Sequence, residues 1–326
     1  MLISIWGLAL SVSGFRLEPI RDVRVSSGMR VCELVEAYGA MHGFMASRVW
    51  EAVSILREGL AVSDLRILSF TGNIVATGLR GVLAQLVRGR LFNLLITTTG
   101  ALDHDIARAL GGVYYKGFFE ANDVELWERG FHRLGNIYIP VESYGPLVEK
   151  FTRALVERAS AIKRDWGFYE LLKLAGSMIE DDNSILRSAS LANVDIIVPG
   201  WPDGAFGTAL FMESQRGAEL RVDYFHDMRR LADIFFTARK ATALVIGGGI
   251  SKHHTLWWSQ FKGGLDYAVY ITTAVEYDGS LSGAQTREAI SWGKVSRGAR
   301  HTVVYGDATI ILPIVVACIL DMKTLD

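Results

Sequence analysis

The sequence predicts an α/β protein with a doubly wound, mostly parallel sheet of the Rossmann-like type and an N-terminal helical arm. Three observations support this fold class: strand-like runs alternate with helical patterns, most of these runs are almost continuously apolar, and most end in small or polar residues. Continuous apolar runs are typical of strands that are covered on both faces, as the strands of parallel sheets are.

Seven short runs carry the strand pattern. They are LRILSF (65–70), FNLLITTTG (92–100), NIYIP (136–140), VDIIVPG (194–200), TALVIGGG (242–249), DYAVYITTA (266–274) and TVVYGDA (302–308). Between them, apolar residues recur at helical spacing in 78–89, 147–166 and 224–240. Residues 15–64 are mostly helical in pattern, and we expect them to form a cap or arm on the sheet.

Composition excludes several classes of protein. The chain has 326 residues, 50% hydrophobic and 21% charged, with a formal net charge of −1. No basic stripe or block of like charge is present, so neither nucleic acid nor an anionic membrane is predicted as a partner. The two cysteines, Cys32 and Cys318, are far apart in sequence and lack metal-ligand spacing, which fits a cytoplasmic location and not a disulfide framework.

The N-terminus is a separate segment of residues 1–20, and residues 21–326 form a single α/β domain. The run MLISIWGLALSVSG is apolar for 14 residues, which is too short for a membrane helix. It also lacks the positive start of a signal peptide. We therefore expect a docked or flexible soluble segment.

The ends of the strand-like runs predict a nucleotide site. They read TGN, TTTG, PGWPDG, GGG, TTA and GDA. In doubly wound folds ligands bind beyond the carboxyl ends of the strands, and glycine lets the backbone approach phosphate or ribose closely. The usual G-x-G-x-x-G fingerprint is absent, because GGGISKHH (247–254) lacks the third glycine at the required spacing.

Other chemistries are weakly indicated. The runs SKHH (251–254) and LDHD (102–105) have neither a histidine pair four residues apart nor a cysteine partner, so no metal is predicted. The run EYDGSLSGA (276–284) lacks the alternating acidic residues of a calcium loop. No serine lies in a nucleophile-elbow context.

Lys294, in REAISWGKV (287–295), is the strongest candidate for chemistry. A lysine becomes a nucleophile when burial or a neighbouring cation lowers its pKa, and its neutral amine then forms Schiff bases with carbonyls or imines. Trp292 would supply an apolar wall and a cation–π face. Glu288 and Asp278 could pair with substrate ammonium groups. From spacing alone, an ordinary surface lysine remains the commoner explanation.

A family resemblance adds to this. The run GGGISKHHTLWWSQFKGGLDYAVYITTAVEYDGSLSGAQTREAISWGKV (247–295) resembles deoxyhypusine synthase in the order and spacing of its GGG, KHH, DYAVYI, DGS-SGA and SWGK motifs. The segments TGNIVATGLR (71–80), ITTTGALDHD (96–105), PDGAFG (202–207) and TVVYGDATIILPIVVA (302–317) resemble further segments of that family. The resemblance runs from about residue 25 to 317.

The resemblance implies a reaction. In the family, NAD takes hydride from the secondary amine of spermidine, and the lysine of SWGK, here Lys294, captures the aminobutyl group as an imine. The group then passes to a lysine of the hypusine-bearing translation factor, and the returning hydride leaves deoxyhypusine. The family's sites lie between subunits, so a homotetramer is implied.

Roles carry over by position within the matching motifs. Lys294 matches the nucleophile, and His253 matches the histidine near the reacting amine. The implied NAD contacts are Asn73, Thr98, Thr99, Gly100, Asp203, Thr273, Ala274, Asp307 and Ala308. The implied polyamine contacts are Asp278, Glu288 and Trp292, together with Asp103 and His104, which stand where the family has an acidic pair.

The chain also departs from the family pattern. Two acidic positions of the family's amine pocket are Thr208 and Leu281 here, and the early SN–S motif is Gly72, Asn73 and Ala76. We expect Asp103 or Asp105 to compensate for the missing charge. The alternatives are a homospermidine-synthase-like transfer to a free amine and a non-catalytic paralogue that binds NAD or an active sister subunit. The intact SWGK, with Glu288 and His253, argues against the paralogue.

Overall fold

The computed structural model describes residues 10–12 and 15–321, so the prediction for residues 1–20 falls largely outside the described residues. In chain order the strands are β1 (Leu10–Val12), β2 (Phe15–Leu17), β3 (Leu65–Phe70), β4 (Leu94–Ile96), β5 (Tyr115–Lys116), β6 (Phe131–Leu134), β7 (Ile137–Pro140), β8 (Asp165–Trp166), β9 (Asp195–Ile197), β10 (Arg221–Val222), β11 (Ala241–Ile246), β12 (Leu265–Thr272) and β13 (Val295–Tyr305).

The helices alternate with these strands. They are α1 (Val31–Met41), α2 (Phe44–Val62), α3 (Asn73–Ala76), α4 (Leu79–Arg88), α5 (Thr99–Ala109), α6 (Asp123–Glu128), α7 (Gly145–Ser160), α8 (Phe168–Ser177), α9 (Ile185–Ala192), α10 (Ala205–Gln215), α11 (Tyr224–Thr237), α12 (Gly249–Ser259), α13 (Thr286–Ser291) and α14 (Ala308–Leu320). The predicted N-terminal helical region is confirmed as α1 and α2.

Six parallel strands form the central sheet, in the order β9-β4-β3-β11-β12-β13. The chain enters at β3, moves outward to β9, and then returns to place β11 on the other side of β3. This is the strand order of doubly wound dinucleotide-binding folds, in which ligands bind where the order reverses, here between β3 and β11. The predicted fold class is confirmed.

The sheet is covered on both faces, which explains the continuous apolar runs. In β11, Leu244 and Ile246 belong to one core, which is formed largely with helices α2, α4, α5, α8, α9 and α14. Ala243 and Val245 belong to the other core, on the side of α11 and α12. Since neighbouring strand residues point to opposite faces, both sets must be apolar.

Two strand predictions need correction. The run 136–140 forms β7, but it pairs antiparallel with β5 and β6 in a separate three-stranded sheet. Its Leu134↔Ile137 pairing across Gly135 and Asn136 is a two-residue hairpin, a signal that the apolar pattern alone misses. The last strand begins at Val295 and not at 302. Its first half is largely exposed, so it lacks the apolar pattern of a covered strand.

Candidate active site

The carboxyl ends of β3, β4 and β9 converge at one edge of the sheet. A Cβ added to Gly72, just after β3, would lie 2.9 Å from the backbone nitrogen of Ala101 in α5, so only glycine allows this approach. The hydroxyl of Thr99 donates to the carbonyls of Gly200 and Trp201, both at 3.1 Å, which ties the end of β4 to the loop after β9.

The GGG motif lies at the point of reversal, directly after β11. Gly247 has a φ of +79°, a left-handed conformation that favours glycine, and its α-carbon faces Thr71 at the end of β3. The backbone nitrogen of Gly249, the first residue of α12, donates to the Ser282 hydroxyl at 3.1 Å. The motif therefore joins the end of β3 to the loop after β12.

Helix α12 links this edge to Lys294. The helix starts at Gly249. His253 and Trp257 lie about one and two turns further on, about 6 and 12 Å from Gly249 along the helix axis. The Lys294 Nζ lies 5.7 Å from the centre of the Trp257 ring and 5.1 Å from that of Trp292. His253 stacks on Trp257 with ring centres 5.9 Å apart. The structure thus brings together Lys294, His253 and Trp292 of the predicted set.

The electrostatics of the KHH motif differ from one residue to the next. Burial, and then the charge of Lys294, lower the pKa of His253, so the imidazole is neutral near pH 7. His254 accepts a hydrogen bond from the Trp258 indole at 3.1 Å, and burial lowers its pKa to about 4. His254 is therefore a structural acceptor, while His253 is exposed beside the lysine.

Lys252 holds the loop that carries Asp278. Its side chain is fully buried, and Nζ donates to the carbonyl of Ala284 at 2.7 Å and to that of Ser282 at 3.3 Å. The ring of Tyr270 lies 4.5 Å from the same nitrogen. Burial lowers the pKa of Lys252 to about 8, while the charge of Glu288 acts to raise it. These bonds fix the second half of the 275–284 loop against α12.

The remaining carboxylates of the predicted polyamine set are accessible. Asp278 is exposed, and a hydrogen bond from Ser280 lowers its pKa, which keeps it ionised. Glu288 is exposed on α13, close enough to Lys252 and Tyr270 to influence both of their pKa values. Three carboxylates therefore lie on the 275–288 segment that precedes Lys294, and of these Glu276 pairs with Arg287.

Asp103 and His104 do not join this group. Both are buried in α5, which follows β4, and four strand spacings of about 4.8 Å separate β4 from β13. Asp103 accepts hydrogen bonds from the amides of Ala205 and Phe206 at 2.9 and 2.8 Å and so caps α10. A polyamine contact by either residue stays a prediction.

The bonding of this α5 segment favours structural roles. Asp103 also accepts a bond from the Tyr144 hydroxyl at 3.1 Å, and His104 Nδ1 lies 2.9 Å from the Tyr114 hydroxyl. Burial, and then the charge of Arg108, lower the pKa of His104 to about 4. The Asp105 carboxylate forms a buried ion pair with Arg80, whose Nε lies 2.6 Å from Oδ1. Compensation for Thr208 and Leu281 by this segment would have to compete with all of these bonds.

The other predicted cofactor residues lie where the strands of the sheet end. Asn73 is the first residue of α3, Asp203 lies in the loop before α10, and Asp307 accepts from the Thr309 amide at 2.8 Å to cap α14. All three are exposed. The rest follow the same strand ends: Thr98, Thr99 and Gly100 after β4, Thr273 and Ala274 after β12, and Ala308 after β13. Apart from Thr99, whose buried hydroxyl is bound by Gly200 and Trp201, these residues offer hydroxyls, carboxylates and backbone. Such groups bind ribose and phosphate, so the edge fits a dinucleotide.

Sequence reasoning missed Trp257 and the bonding of Lys252. The signal for Trp257 was its spacing, because a residue four positions after His253 lies on the same face of a helix. Within residues 10–12 and 15–321, no helix is long and apolar enough to cross a membrane. The same residues contain no cluster of three or more side chains that could hold a metal ion.

Comparison with known proteins points to one family. The family model of deoxyhypusine synthase matches residues 33–319. A "Probable deoxyhypusine synthase" from Aeropyrum pernix is 64% identical over 306 residues, which are 93% of this chain and 99% of that protein. Another from Ignicoccus hospitalis is 54% identical over 310 residues, 94% of this chain and 97% of that protein.

A solved structure agrees at the level of the fold. The crystal structure of a "putative deoxyhypusine synthase" from Entamoeba histolytica aligns with a TM-score of 0.63 at 21% identity. The alignment covers 92% of this chain and 96% of that one.

Proposed function

The chain belongs to the deoxyhypusine synthase family and is a transferase, and on that premise we propose that it transfers the aminobutyl group of spermidine to a lysine of the hypusine-bearing translation factor. The observation that carries the proposal is the group formed by Lys294, His253 and two indole rings. His253 and one of the indoles belong to α12, the helix that starts at the carboxyl ends of the strands. We expect the enzyme to act in the cytoplasm.

Lys294 is the nucleophile of this proposal. Its half-buried side chain lies against two indoles, which limit the access of water to an imine at its nitrogen. An imine in open water hydrolyses, so shielding by apolar walls is what a covalent carrier of the aminobutyl group requires.

His253 is the proton acceptor. The donor's secondary amine is protonated in water and must lose a proton before it can be oxidised. A neutral imidazole can take that proton, and the lowered pKa of His253 keeps it neutral. Its stacking on Trp257 fixes the ring beside the lysine.

NAD is the proposed cofactor, and when bound it accepts a hydride from the amine and later returns it. Asn73, Asp203 and Asp307 would bind it with side chains and Thr98 and Thr273 with hydroxyls. The backbone of Thr99, Gly100, Ala274 and Ala308 would complete the site. Support comes from the close approach of the Gly72 backbone to the start of α5 and from the position of the GGG motif where the strand order reverses.

A homotetramer with sites between subunits completes the proposal. The α5 segment with Asp103 lies four strands away from the start of β13, where Lys294 is found. Within one chain this separation keeps the α5 segment away from a donor at Lys294, and a second copy would supply only those contacts that the bonds of Asp103 and His104 leave free.

The test is to incubate the protein with NAD, radiolabelled spermidine and the purified translation factor. We expect label on the factor and, after borohydride trapping without the factor, on Lys294. Label in a free amine would favour the homospermidine-like alternative, which the replacements at Thr208 and Leu281 make worth testing. No label on any product with any polyamine would refute the proposal and favour the non-catalytic paralogue.

A further inference from the structure

We infer that Trp257 binds substrate: with Trp292 it forms an aromatic slot for the ammonium-bearing chain of the amine donor, and it helps to determine donor specificity. The inference rests on the proposed function, since that function supplies the donor. Neither the family motifs in the sequence nor the predicted site residues include Trp257.

The geometry of Lys294 supports the slot. Its Nζ is within 6 Å of both ring centres, the range in which a cation is attracted to an aromatic face. A lysine side chain is a primary ammonium on a four-carbon chain, the same chemical group that ends a linear polyamine. The two indoles therefore already lie near a group of the kind that the donor would present.

The Trp257 ring is held in place from two sides. His253 stacks on it at an interplanar angle of 19°, and Phe261 meets it edge-on at 84° with ring centres 6.4 Å apart. The indole is still 45% exposed, and Trp292 is 67% exposed, so both have surface left for a ligand. A ring fixed before binding loses little conformational freedom when the ligand arrives.

Charge considerations point the same way. Leu281 on the neighbouring loop and Thr208 stand where the resemblance places carboxylates, so this chain has fewer anions for its donor. An indole face attracts an ammonium without bearing a charge, and it also covers the donor's methylene groups. Trp257 thus supplies attraction that depends on the aromatic face and not on ionic pairing.

The experiment measures equilibrium binding of spermidine by calorimetry with NAD present, in wild type and in Trp257→Phe, Trp257→Leu and Trp257→Ala. Leucine keeps apolar bulk but has no π face. We expect Kd to rise little in the phenylalanine variant and roughly 3- to 30-fold in the leucine and alanine variants. Trp127→Ala, at an exposed tryptophan in α6, is the matched control and should leave Kd unchanged.

The outcomes separate the slot from the reaction. Equal Kd values for the leucine and phenylalanine variants, or an unchanged Kd for the alanine variant, would overturn the inference. So would a wild type that binds no spermidine, spermine or putrescine. Turnover is measured on the same samples: normal binding that depends on Trp257, with no adduct on Lys294, would refute the proposed function and leave the slot supported.

A second inference concerns Cys32 and Cys318, the two cysteines of the chain. We propose that they form a disulfide between α1 and α14 when the protein meets a disulfide oxidant. Cys318 is fully buried and Cys32 half-buried, and the two helices pack together at this point. Arg30 pairs with Asp321 at 2.6 Å. The Arg57 guanidinium lies 3.3 Å from the Glu36 carboxylate of α1 and donates to the Cys318 carbonyl at 3.0 Å, so it bridges the two helices.

The two cysteines differ in reactivity. Burial, and then a hydrogen bond with the Cys32 thiol, raise the pKa of Cys318. The accessible Cys32 thiolate therefore reacts first: it attacks the oxidant's disulfide and releases one thiol. The Cys318 thiolate then attacks the Cys32 sulfur and releases the second thiol, so two protein thiols are oxidised as one disulfide is reduced.

The test treats the folded protein with oxidised glutathione and maps peptides without reduction. We expect a Cys32–Cys318 peptide pair and a melting temperature roughly 5–10 °C above that of the reduced protein, because the bond closes a very long loop. Cys32→Ser should show neither change. A folded wild type that yields only glutathione adducts, or no Cys32–Cys318 peptide pair, would overturn the proposal.

Discussion

Asp227 should make the protein less stable as pH rises. The side chain is fully buried in α11, its Oδ1 accepts from the Tyr169 amide at 3.3 Å, and its Oδ2 has no partner within the described chain. Burial raises the pKa of Asp227 to about 7, although hydrogen bonds from the backbone at the start of α8 act to lower it. An uncompensated carboxylate is therefore forced into the interior at neutral pH.

The magnitude follows from the two pKa values. Between about pH 4 and 7 the folded state binds more protons than the unfolded state, so the free energy of unfolding falls as pH rises. The difference from the ordinary value of 3.8 is about 3, which corresponds to about 4 kcal/mol, and the loss is complete above about pH 7.

The assay compares urea unfolding of wild type and Asp227→Asn from pH 4 to 8. Asparagine keeps an acceptor for the Tyr169 amide but cannot ionise. We therefore expect the free energy of unfolding of Asp227→Asn, relative to that of wild type, to rise by about 4 kcal/mol across this range. The matched control is Asp64→Asn: despite some burial, bonds from the Lys240 and Arg239 amides lower the pKa of Asp64 to about 2. The difference in the free energy of unfolding between Asp64→Asn and wild type should therefore stay constant over the same range. A constant difference for Asp227→Asn would refute the reasoning.

Further predictions concern the site. Lys294→Arg should bind NAD in calorimetry yet form no borohydride-trapped adduct, because a guanidinium stays protonated; a trapped adduct elsewhere would contradict this. Asp307→Ala should weaken NAD binding roughly tenfold to a hundredfold if its carboxylate accepts a bond from a ribose hydroxyl, and Asp307→Asn, which keeps the α14 cap, is the control for loss of the cap. Lys252→Met should speed proteolysis of the 275–284 loop and slow turnover, while unchanged cleavage would mean that its bonds to Ser282 and Ala284 do not hold the loop. Leu281→Asp should improve spermidine use in a donor panel, and equal use would show that the lost carboxylate is not limiting.

The sequence predicted the sheet well because its strands are covered on both faces. An apolar run marks such a strand whichever way its side chains point, and 65–70 became β3 without any change of boundary. Strands with one face open to solvent were harder to predict. Residues 136–140 form part of a separate hairpin, and the exposed first half of β13 lacks the apolar pattern of a covered strand. Long-range pairing decides both cases, and neither the hairpin partner nor the open face can be seen in a local window.

The site was predictable in part for a similar reason. Lys294, His253 and Trp292 lie in motifs, and they come together in the fold. Asp103 also lies in a motif, but its bonds to Ala205 and Phe206 come from a segment about a hundred residues away and could not be anticipated. Burial, which separates a capping carboxylate from a substrate ligand, is a property of the assembled chain.

The spacing of the site residues along α12 constrains the length of this helix. Gly249, His253 and Trp257 are each four residues apart, so all three share one side of a single rigid segment. One residue inserted between Gly249 and Trp257 would rotate everything after it by about 100° and carry the indole away from Lys294. The exposed side of α12 carries all three residues, so a change in the length of this helix should cost activity even where no residue of the site is itself replaced.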